Sequence, residues 1–341
     1  MKKIKIKFLL VYFVVNFLNN QAFSSKISNK QILELSDKHV TLFFNHLQTV
    51  CNSNKFYENL NNTFEHKFGK PTEWKKKCLT LEENKSAKDF KKFLIKNFKF
   101  KKIQEKSGLL TGYYEPIIRV SRNRDAFYKF PILNKNNFYT KKPRSFIEKN
   151  FKEKDVILWT DDEINLFFLH IQGSGIGEFP SKEKVKLVYN GNNDMSYKSI
   201  GKILIKKNYI NRNNVNLFTI KKWLRANPTL SKEILHQNKR FIFFKEMSFG
   251  KDKNPIGAFG TPLEPNLSVA VDKNIYPLGL PFFIQMEKNE SILPVISLDT
   301  GGAIIGPNRA DLFFGSGEVA EKKAGILKKK IYLHAFIPYS N

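Results

Sequence analysis

The segment from Pro294 to Gly317, PVISLDTGGAIIGPNRADLFFGSG, constrains this chain more than any other stretch. Its apolar runs around Ile296 and Leu312 predict two buried strands, and glycines interrupt the chain after each run. Asp299 stands at the end of the first run and Asp311 at the start of the second. Carboxylates beside glycine turns at strand ends reach into clefts, where backbone N–H groups can also bind a ligand. We therefore expect a functional site in this segment.

A third aspartate, Asp272, ends the apolar run VAV and precedes a turn that contains Pro and Gly. Aspartate commonly caps such turns, so Asp272 could be purely structural. Asp311 is followed by LFF, and an apolar setting raises the pKa of a carboxyl group until it can deliver a proton near neutral pH. Asp299 has small neighbours, which favour an ionised carboxylate. Asp311 is therefore the predicted catalytic acid, with Asp299 and, more weakly, Asp272 as supporting residues.

Two other segments could bind a saccharide. The sequence GYYEP supplies Tyr113, Tyr114 and Glu115, and aromatic faces stack on sugars while polar groups bond their hydroxyls. The competing interpretation is a tyrosine pair divided between core and surface. The sequence QGSG supplies Gln172 and Ser174 at the end of a predicted apolar strand, where the glycines would let a ligand approach the backbone. A plain hairpin turn is the alternative there.

Composition limits the classes of protein that fit. The 341 residues are 41% hydrophobic, which is enough for a sizeable core. Lys and Arg number 58 against 31 acidic residues, a net charge of +27 that predicts attraction to an anionic partner. The lysines are dispersed, and no RNP, zinc-finger or leucine-zipper pattern is present, so nucleic-acid binding is only a minor alternative. No metal-binding motif occurs, and we expect neither a metal nor an organic cofactor.

The first 24 residues predict a secretory signal. They combine four early lysines, an apolar stretch from Phe8 to Phe17, and the small residues Ala22 and Ser24 at a cleavage-like spacing. An uncleaved N-terminal anchor is the alternative, since asparagines blur the end of the apolar stretch. No cysteine follows the signal, so we expect no lipid attachment there. Export would expose Cys51 and Cys78 to oxidation, which favours a disulfide over two buried free thiols.

The spacing of apolar residues predicts helices in the N-terminal third and strands after it. Helical periods run from Gln31 to Val50 and onward from a predicted cap at Ser86. The polar stretch 52–84 is expected to be irregular, with Trp74 packing into the core. From residue 108 the runs LLTGYYEP, FYKFPIL, DVILWT, NLFFLHIQG and KVKLVYN predict an all-β middle region. A short helix is expected after Asn214, and a strand over 241–247.

VAVDKNIYPLG and LDTGGAIIGPNRADLFFGSG together resemble the three-aspartate domain of the membrane-bound lytic murein transglycosylase A family. SGLLTGYYEPIIR, NLFFLHIQGSG, VYNGNNDMSYKSIGKIL and KKWLRANP extend the resemblance from Gly108 to the C-terminus. It implies a mainly β protein with a few peripheral helices. Residues 25–118 and 242–341 would form a double-psi β-barrel domain. Residues 119–241 would form an inserted β domain that makes the other wall of a groove.

The resemblance also implies an activity. It predicts a lytic exotransglycosylase, a carbon–oxygen lyase that cleaves the β-1,4 bond between N-acetylmuramic acid and N-acetylglucosamine. The products would carry a 1,6-anhydromuramic end, and Asp311 matches the family's catalytic aspartate. The partner would be the peptidoglycan of the periplasm. The protein would be a monomer, with possible loose association with the outer membrane or other wall enzymes. A non-catalytic wall-binding protein and a water-using muramidase are the alternatives.

Three positions depart from the pattern of the resembled family. Its members usually carry Gln where this chain has His170, Arg where it has Ile176 and Lys where it has Ile305. Charge-assisted contacts to substrate at the last two positions are therefore not expected here. The predicted acid chemistry at Asp311 does not depend on them.

Overall fold

A computed structural model describes residues 26–250 and 254–340, and the predicted secretory signal lies outside the described residues. The described residues contain eleven α-helices: α1 Asn29–Leu33, α2 Asp37–Cys51, α3 Asn54–Asn61, α4 Pro71–Leu79, α5 Ala87–Asn97, α6 Arg144–Asn150, α7 Glu163–Gln172, α8 Ile200–Lys206, α9 Leu217–Ala226, α10 Pro228–His236 and α11 Gly317–Ile326. They contain thirteen strands: β1 Phe98–Lys102, β2 Gly108–Glu115, β3 Ile117–Ser121, β4 Phe130–Leu133, β5 Val156–Thr160, β6 Gly175–Glu178, β7 Lys184–Asn192, β8 Ile242–Ser248, β9 Ser268–Val271, β10 Pro281–Met286, β11 Ile292–Thr300, β12 Arg309–Ser316 and β13 Lys328–Pro338. Within this part of the chain, no helix is long and apolar enough to cross a membrane.

Six strands form a closed ring, or barrel, in which neighbouring strands are hydrogen-bonded. The order is β13, β10, β11, β9, β12 and β2, and β2 pairs back onto β13, while β1 adds to the outer side of β13. Two pairs are parallel, β9 with β11 and β2 with β12. Closure leaves few unpaired strand edges, and β9 and β10 are nearly continuous apolar runs because they are buried on both faces. The two aspartate-bearing strands, β11 and β12, are neighbours of the same central strand, β9.

Five N-terminal helices pack on this ring. The helix expected from Gln31 to Val50 is two helices, α1 and α2, with a break at residues 34–36. The cap expected at Ser86 is confirmed, because its Oγ accepts the Asp89 N–H at 3.1 Å where α5 begins. The irregular segment expected over 52–84 is wrong, since α3 and α4 lie within it. The lysine-rich sequence of α4 shows too little apolar periodicity to reveal a helix.

The second sheet has the order β4, β5, β3, β6, β7, β8, and its strands all lie between residues 117 and 248. The expectation of an all-β middle region is wrong, because helices α6 to α10 accompany this sheet. NLFFLHIQG, expected to be a strand, is the body of α7. Asp162 caps that helix by accepting the N–H groups of Ile164 and Asn165 at 2.9 and 3.0 Å. Residues 166–170 are all buried, so no polar face was available to display a helical period.

The remaining helix and strand expectations hold with small shifts. The helix expected after Asn214 is α9, capped instead by Asn216, whose Oδ1 accepts the Thr219 N–H at 3.0 Å. α9 ends at Ala226, and Pro228 opens α10 at its first turn, where a missing N–H costs nothing. The strand expected over 241–247 is β8.

Cys51 and Cys78 form a disulfide, as predicted. The bond joins the last residue of α2 to α4, across 27 positions of the sequence. Trp74 lies inside this loop and is fully buried, with its ring 5.1 Å from that of Phe56. The crosslink therefore fixes a helical layer whose own apolar pattern is weak.

The disulfide should contribute about 3 kcal/mol to the free energy of unfolding, because it restricts the unfolded chain. Reductant should lower the guanidinium unfolding midpoint of the native protein. A Cys51→Ser, Cys78→Ser double variant should have the lower midpoint already and should not respond to reductant. Titration of two free thiols per denatured, non-reduced chain would contradict this assignment.

Candidate active site

The strand register places Asp299 and Asp311 on one face of the barrel sheet. Ala270 on β9 lies opposite Asp299 of β11 and opposite Asp311 of β12, and Asp311 lies opposite Thr111 of β2. Side chains in register across neighbouring strands share a face. The four residues therefore form one row, and the small side chain of Ala270 leaves space between the carboxyl groups. Two strand spacings separate the Asp299 and Asp311 Cα atoms by about 10 Å.

Asp311 is half-buried and accepts a hydrogen bond at Oδ1 from the Thr111 hydroxyl. Arg309 Nη2 donates to Thr111 Oγ1 at 2.8 Å, so the hydroxyl proton of Thr111 is directed toward Asp311. Burial raises the pKa of Asp311 to about 6, against the opposing effects of the Arg309 charge and the Thr111 bond. The Asp299 charge raises the pKa of Asp311 further. Asp311 can consequently hold a proton close to neutral pH.

Asp299 is held by two donors. Its Oδ2 accepts the Tyr113 hydroxyl at 3.1 Å, and its Oδ1 accepts the Ala258 N–H at 3.1 Å. Burial raises the pKa of Asp299, while these donors act in the opposite direction. Burial also raises the pKa of Tyr113 well above its usual value, which keeps the phenol protonated as a donor. Tyr113 follows Thr111 by two residues on β2 and therefore lies on the same face as the acid.

Asp272 lies outside this row, and its carboxylate accepts hydrogen bonds from two backbone N–H groups in loops. Its Oδ1 accepts the Asn274 N–H at 3.0 Å, and its Oδ2 accepts the Gly306 N–H at 2.9 Å. The side chain is buried, so both bonds are shielded from water. Asp272 thereby tethers the 301–306 loop, the first part of the connection between the two aspartate-bearing strands, to the end of β9.

Tyr114 does not share the orientation of Tyr113. It is 3% exposed, packs on Ala320 and Ala324 of α11, and hydrogen-bonds the Glu321 carboxylate. Burial and that carboxylate raise the pKa of Tyr114. The predicted glycan contact of Tyr114 is therefore corrected to a core contact. The reason is the two-residue period of a strand, which sends successive side chains to opposite faces.

Glu115 is also buried, with 1% exposure. Its Oε2 accepts bonds from Lys186 Nζ at 2.8 Å and from Ser316 Oγ at 2.7 Å. Lys186 belongs to β7 of the second sheet, and Ser316 ends β12. The predicted sugar contact of Glu115 is corrected accordingly, because its carboxylate joins the two sheets instead of facing a groove.

Gln172 and Ser174 lie where α7 ends, not at the end of a strand. Gln172 Oε1 accepts the Tyr114 N–H at 3.1 Å, opposite the β12 bulge between Phe313 and Ser316. Among the described residues its amide NH2 has no hydrogen-bond partner. Gly173 closes the helix with a left-handed φ of 83°, and Ser174 is half-buried just after it. Gln172 therefore lies at the edge of the barrel, but it ends a helix and not the predicted strand.

Three residues near the acid were not predicted. Thr111 and Arg309 each lie on the face of the row, two positions along their strands from Tyr113 and Asp311 respectively, so strand alternation could have revealed them. Tyr197 follows β7 of the second sheet. Burial raises the pKa of Tyr197 against a hydrogen bond with Ser199, and the Asp311 charge raises it further, so Tyr197 lies within electrostatic range of the acid. No sequence pattern distinguishes Tyr197.

Two family models match the chain. One is described as the MltA specific insert domain and matches residues 133–245. The other is the 3D domain and matches residues 267–336. The first match covers most of the second sheet and its helices, and the second covers the strands that carry Asp299 and Asp311.

A membrane-bound lytic murein transglycosylase A homolog from Buchnera aphidicola is 32% identical over an alignment of 262 residues that covers 72% of this chain and 70% of that protein. A crystal structure of a membrane-bound lytic murein transglycosylase from Agrobacterium tumefaciens superposes with a TM-score of 0.76 at 24% identity, covering 92% of this chain and 97% of the other. Escherichia coli MltA with bound chitohexaose gives a TM-score of 0.70 at 22% identity over 90% and 91% of the two chains. At these identities the two superpositions show a shared fold. The chain belongs to the membrane-bound lytic murein transglycosylase A family.

Proposed function

We propose that this chain is a lytic transglycosylase that cleaves the β-1,4 bond between N-acetylmuramic acid and N-acetylglucosamine in peptidoglycan. One observation carries the proposal: Asp311 is a half-buried carboxyl group whose pKa is raised to about 6, in a row of side chains that also includes a second carboxylate, Asp299. Such a group can donate a proton at near-neutral pH and accept one back. Family membership supports the substrate class.

In the proposed reaction Asp311 gives its proton to the glycosidic oxygen of the leaving N-acetylglucosamine, and the bond from that oxygen to the anomeric carbon breaks. The 6-hydroxyl of the muramic residue attacks the same carbon. Its proton passes to the Asp311 carboxylate, which restores the starting state. One carboxyl group thus serves as acid and then as base, no water is consumed, and the product is a 1,6-anhydromuramic end.

Asp299 would stabilise the positive charge that develops on the muramic ring at the transition state. Its two donors hold it in place and favour the ionised form. Tyr113 would line the groove beside it and stack on a sugar. Gln172, through its unpaired NH2 group, and Ser174 would bind the glycan from the side of α7.

We also propose the finer architecture that the resemblance implies. A closed ring of six strands with two parallel pairs supports a double-psi barrel formed by residues 25–118 and 242–341. Residues 119–241 would be the inserted domain across the groove. The signal-like residues 1–24 and the disulfide support a periplasmic location, where oxidised cysteines persist. The substrate would be a glycan strand, held without a metal or organic cofactor.

A water-using muramidase is the second candidate, because Asp299 and Asp311 face each other across a single strand as a pair of carboxylates would in a hydrolase. Digestion of purified sacculi in ¹⁸O-labelled water separates the two. Our proposal predicts fragments with 1,6-anhydromuramic ends and no label. Labelled, reducing muramic ends would establish the hydrolase. Binding to sacculi without any fragment release would establish a non-catalytic wall protein.

Asp311→Asn should lower turnover of sacculi at least ~10²-fold, because the amide cannot cycle a proton. The substitution preserves size and an acceptor for Thr111, so binding to the insoluble substrate should persist. Asp299→Asn is the matched control on the same face and should cost less. Near-normal release of products by Asp311→Asn would contradict the assignment.

The pH profile of kcat/KM should fall as pH rises through about 6, because Asp311 must enter the reaction protonated. Arg309→Gln removes a positive charge that lowers the pKa of Asp311 and frees Thr111 from its donor. The alkaline limb should therefore move to higher pH. Arg122→Gln removes the same charge at an exposed ion pair with Glu246 and is the control. A limb that stays in place or moves to lower pH in Arg309→Gln would contradict this electrostatic account.

A further inference from the structure

Arg240 occupies a rigid position at the border of the two sheets. It lies between α10 and β8, and its carbonyl oxygen accepts a bond from the buried Arg144 Nη2 at 2.8 Å. The N–H of the next residue, Phe241, donates to Asn193 Oδ1 at 2.8 Å. Both anchors are buried side chains, with 2% and 0% exposure for Arg144 and Asn193. The backbone therefore presents the Arg240 side chain from a fixed point.

The side chain of Arg240 reaches across to the barrel. A Cβ atom added to Gly302 would lie 3.6 Å from the guanidinium carbon of Arg240, and 3.8 Å from its Nε and Nη2 atoms. Gly302 belongs to the 301–306 loop that Asp272 tethers. It follows Asp299 by three residues, a Cα path of at most about 10 Å. The guanidinium thus lies beside the loop that follows β11, the strand that carries Asp299.

The donors of Arg240 are largely unused. Its Nη1 donates to the Met195 carbonyl at 3.2 Å, and no acidic side chain within residues 26–250 or 254–340 forms an ion pair with it. Other arginines around the second sheet do pair with carboxylates: Arg119, Arg122, Arg124, Arg144 and Arg225. Arg309, the cation nearest the acid, spends its donors on Leu109, Ala310 and Thr111. A half-buried guanidinium with free donors, next to the loop that follows the Asp299 strand, is suited to an anionic ligand.

The substrate class of the proposed function supplies such an anion. Muramic acid carries a lactyl ether whose carboxyl group is either free or joined to a peptide that itself bears carboxylates, whereas N-acetylglucosamine is uncharged. We propose that Arg240 is a specificity-determining residue that binds a carboxylate of the muramyl unit at the cleavage point. This inference rests on the proposed function, and it predicts that the site prefers muramyl glycans to uncharged chitin-like ones.

The test measures binding to two ligands of similar length in an Asp311→Asn background, where turnover does not interfere. One is a muropeptide oligosaccharide with its carboxylates, and the other is chitohexaose, which has none. Arg240→Gln should weaken muropeptide binding about ten-fold or more, the usual effect of losing a charged hydrogen bond. Chitohexaose affinity should stay within about two-fold. Arg240→Lys keeps the charge without the bidentate geometry and should fall between the two.

Arg122→Gln again controls for net charge and should alter neither affinity. Equal losses on both ligands in Arg240→Gln would mean that the side chain only braces the 301–306 loop, and would overturn the proposal. Unchanged muropeptide affinity would overturn it as well. Failure of the proposed function is separately visible, because the protein with Asp311 intact would then release no 1,6-anhydromuramic fragments whatever Arg240 binds.

Discussion

The register of three neighbouring strands is the constraint on which the site depends. Ala270 of β9 lies opposite both aspartates, so Asp299 and Asp311 share one face of the sheet, with β9 between them. A slip of one residue in β12 would turn Asp311 to the opposite face and bring Leu312 into its place. The closed ring resists such a slip, since β12 is paired on both sides, to β9 and to β2. Burial within this arrangement then sets the chemistry of the acid.

The second sheet is joined to the barrel through buried polar contacts. Glu115 receives Lys186 from the second sheet and Ser316 from the barrel, and Lys221 of α9 pairs with Glu321 of α11 at 2.6 Å. Separating either pair would leave a poorly solvated charge, which is strongly unfavourable. These contacts lie on both sides of the Tyr114 backbone to which Gln172 is hydrogen-bonded and stabilise the junction of the two sheets. Glu115, whose polarity suggested a sugar contact, is instead one of the residues that join the two sheets.

The sequence was most informative where a local pattern and a local structure coincide. Apolar runs ended by aspartate and glycine located β11 and β12, and the apolar environment of Asp311 anticipated its raised pKa. The pattern failed at α7, because a helix buried on all sides shows no period, and at α4, because lysines conceal its apolar face. Tyr113 and Tyr114 show a further limit. Their order predicts opposite faces, but only the closed ring decides which face carries the acid.

Thr111, Tyr197 and Arg240 escaped prediction for a related reason. Their roles depend on contacts between segments far apart in the chain, such as the bond from Thr111 to Asp311 across 200 positions. A single sequence carries no local signal for such pairings. The unused donors of Arg240 become evident only once the three-dimensional structure shows which groups surround its side chain.

The central claim is that burial raises the pKa of Asp311 to about 6, so that part of the enzyme carries the catalytic proton near neutral pH. Carboxyl ¹³C NMR of protein labelled at aspartate measures this directly, and the Asp311 resonance is identified by its absence from the spectrum of Asp311→Asn. The account predicts a titration midpoint near pH 6 for that resonance. A midpoint at or below the ordinary aspartate value of about 3.9 would contradict it.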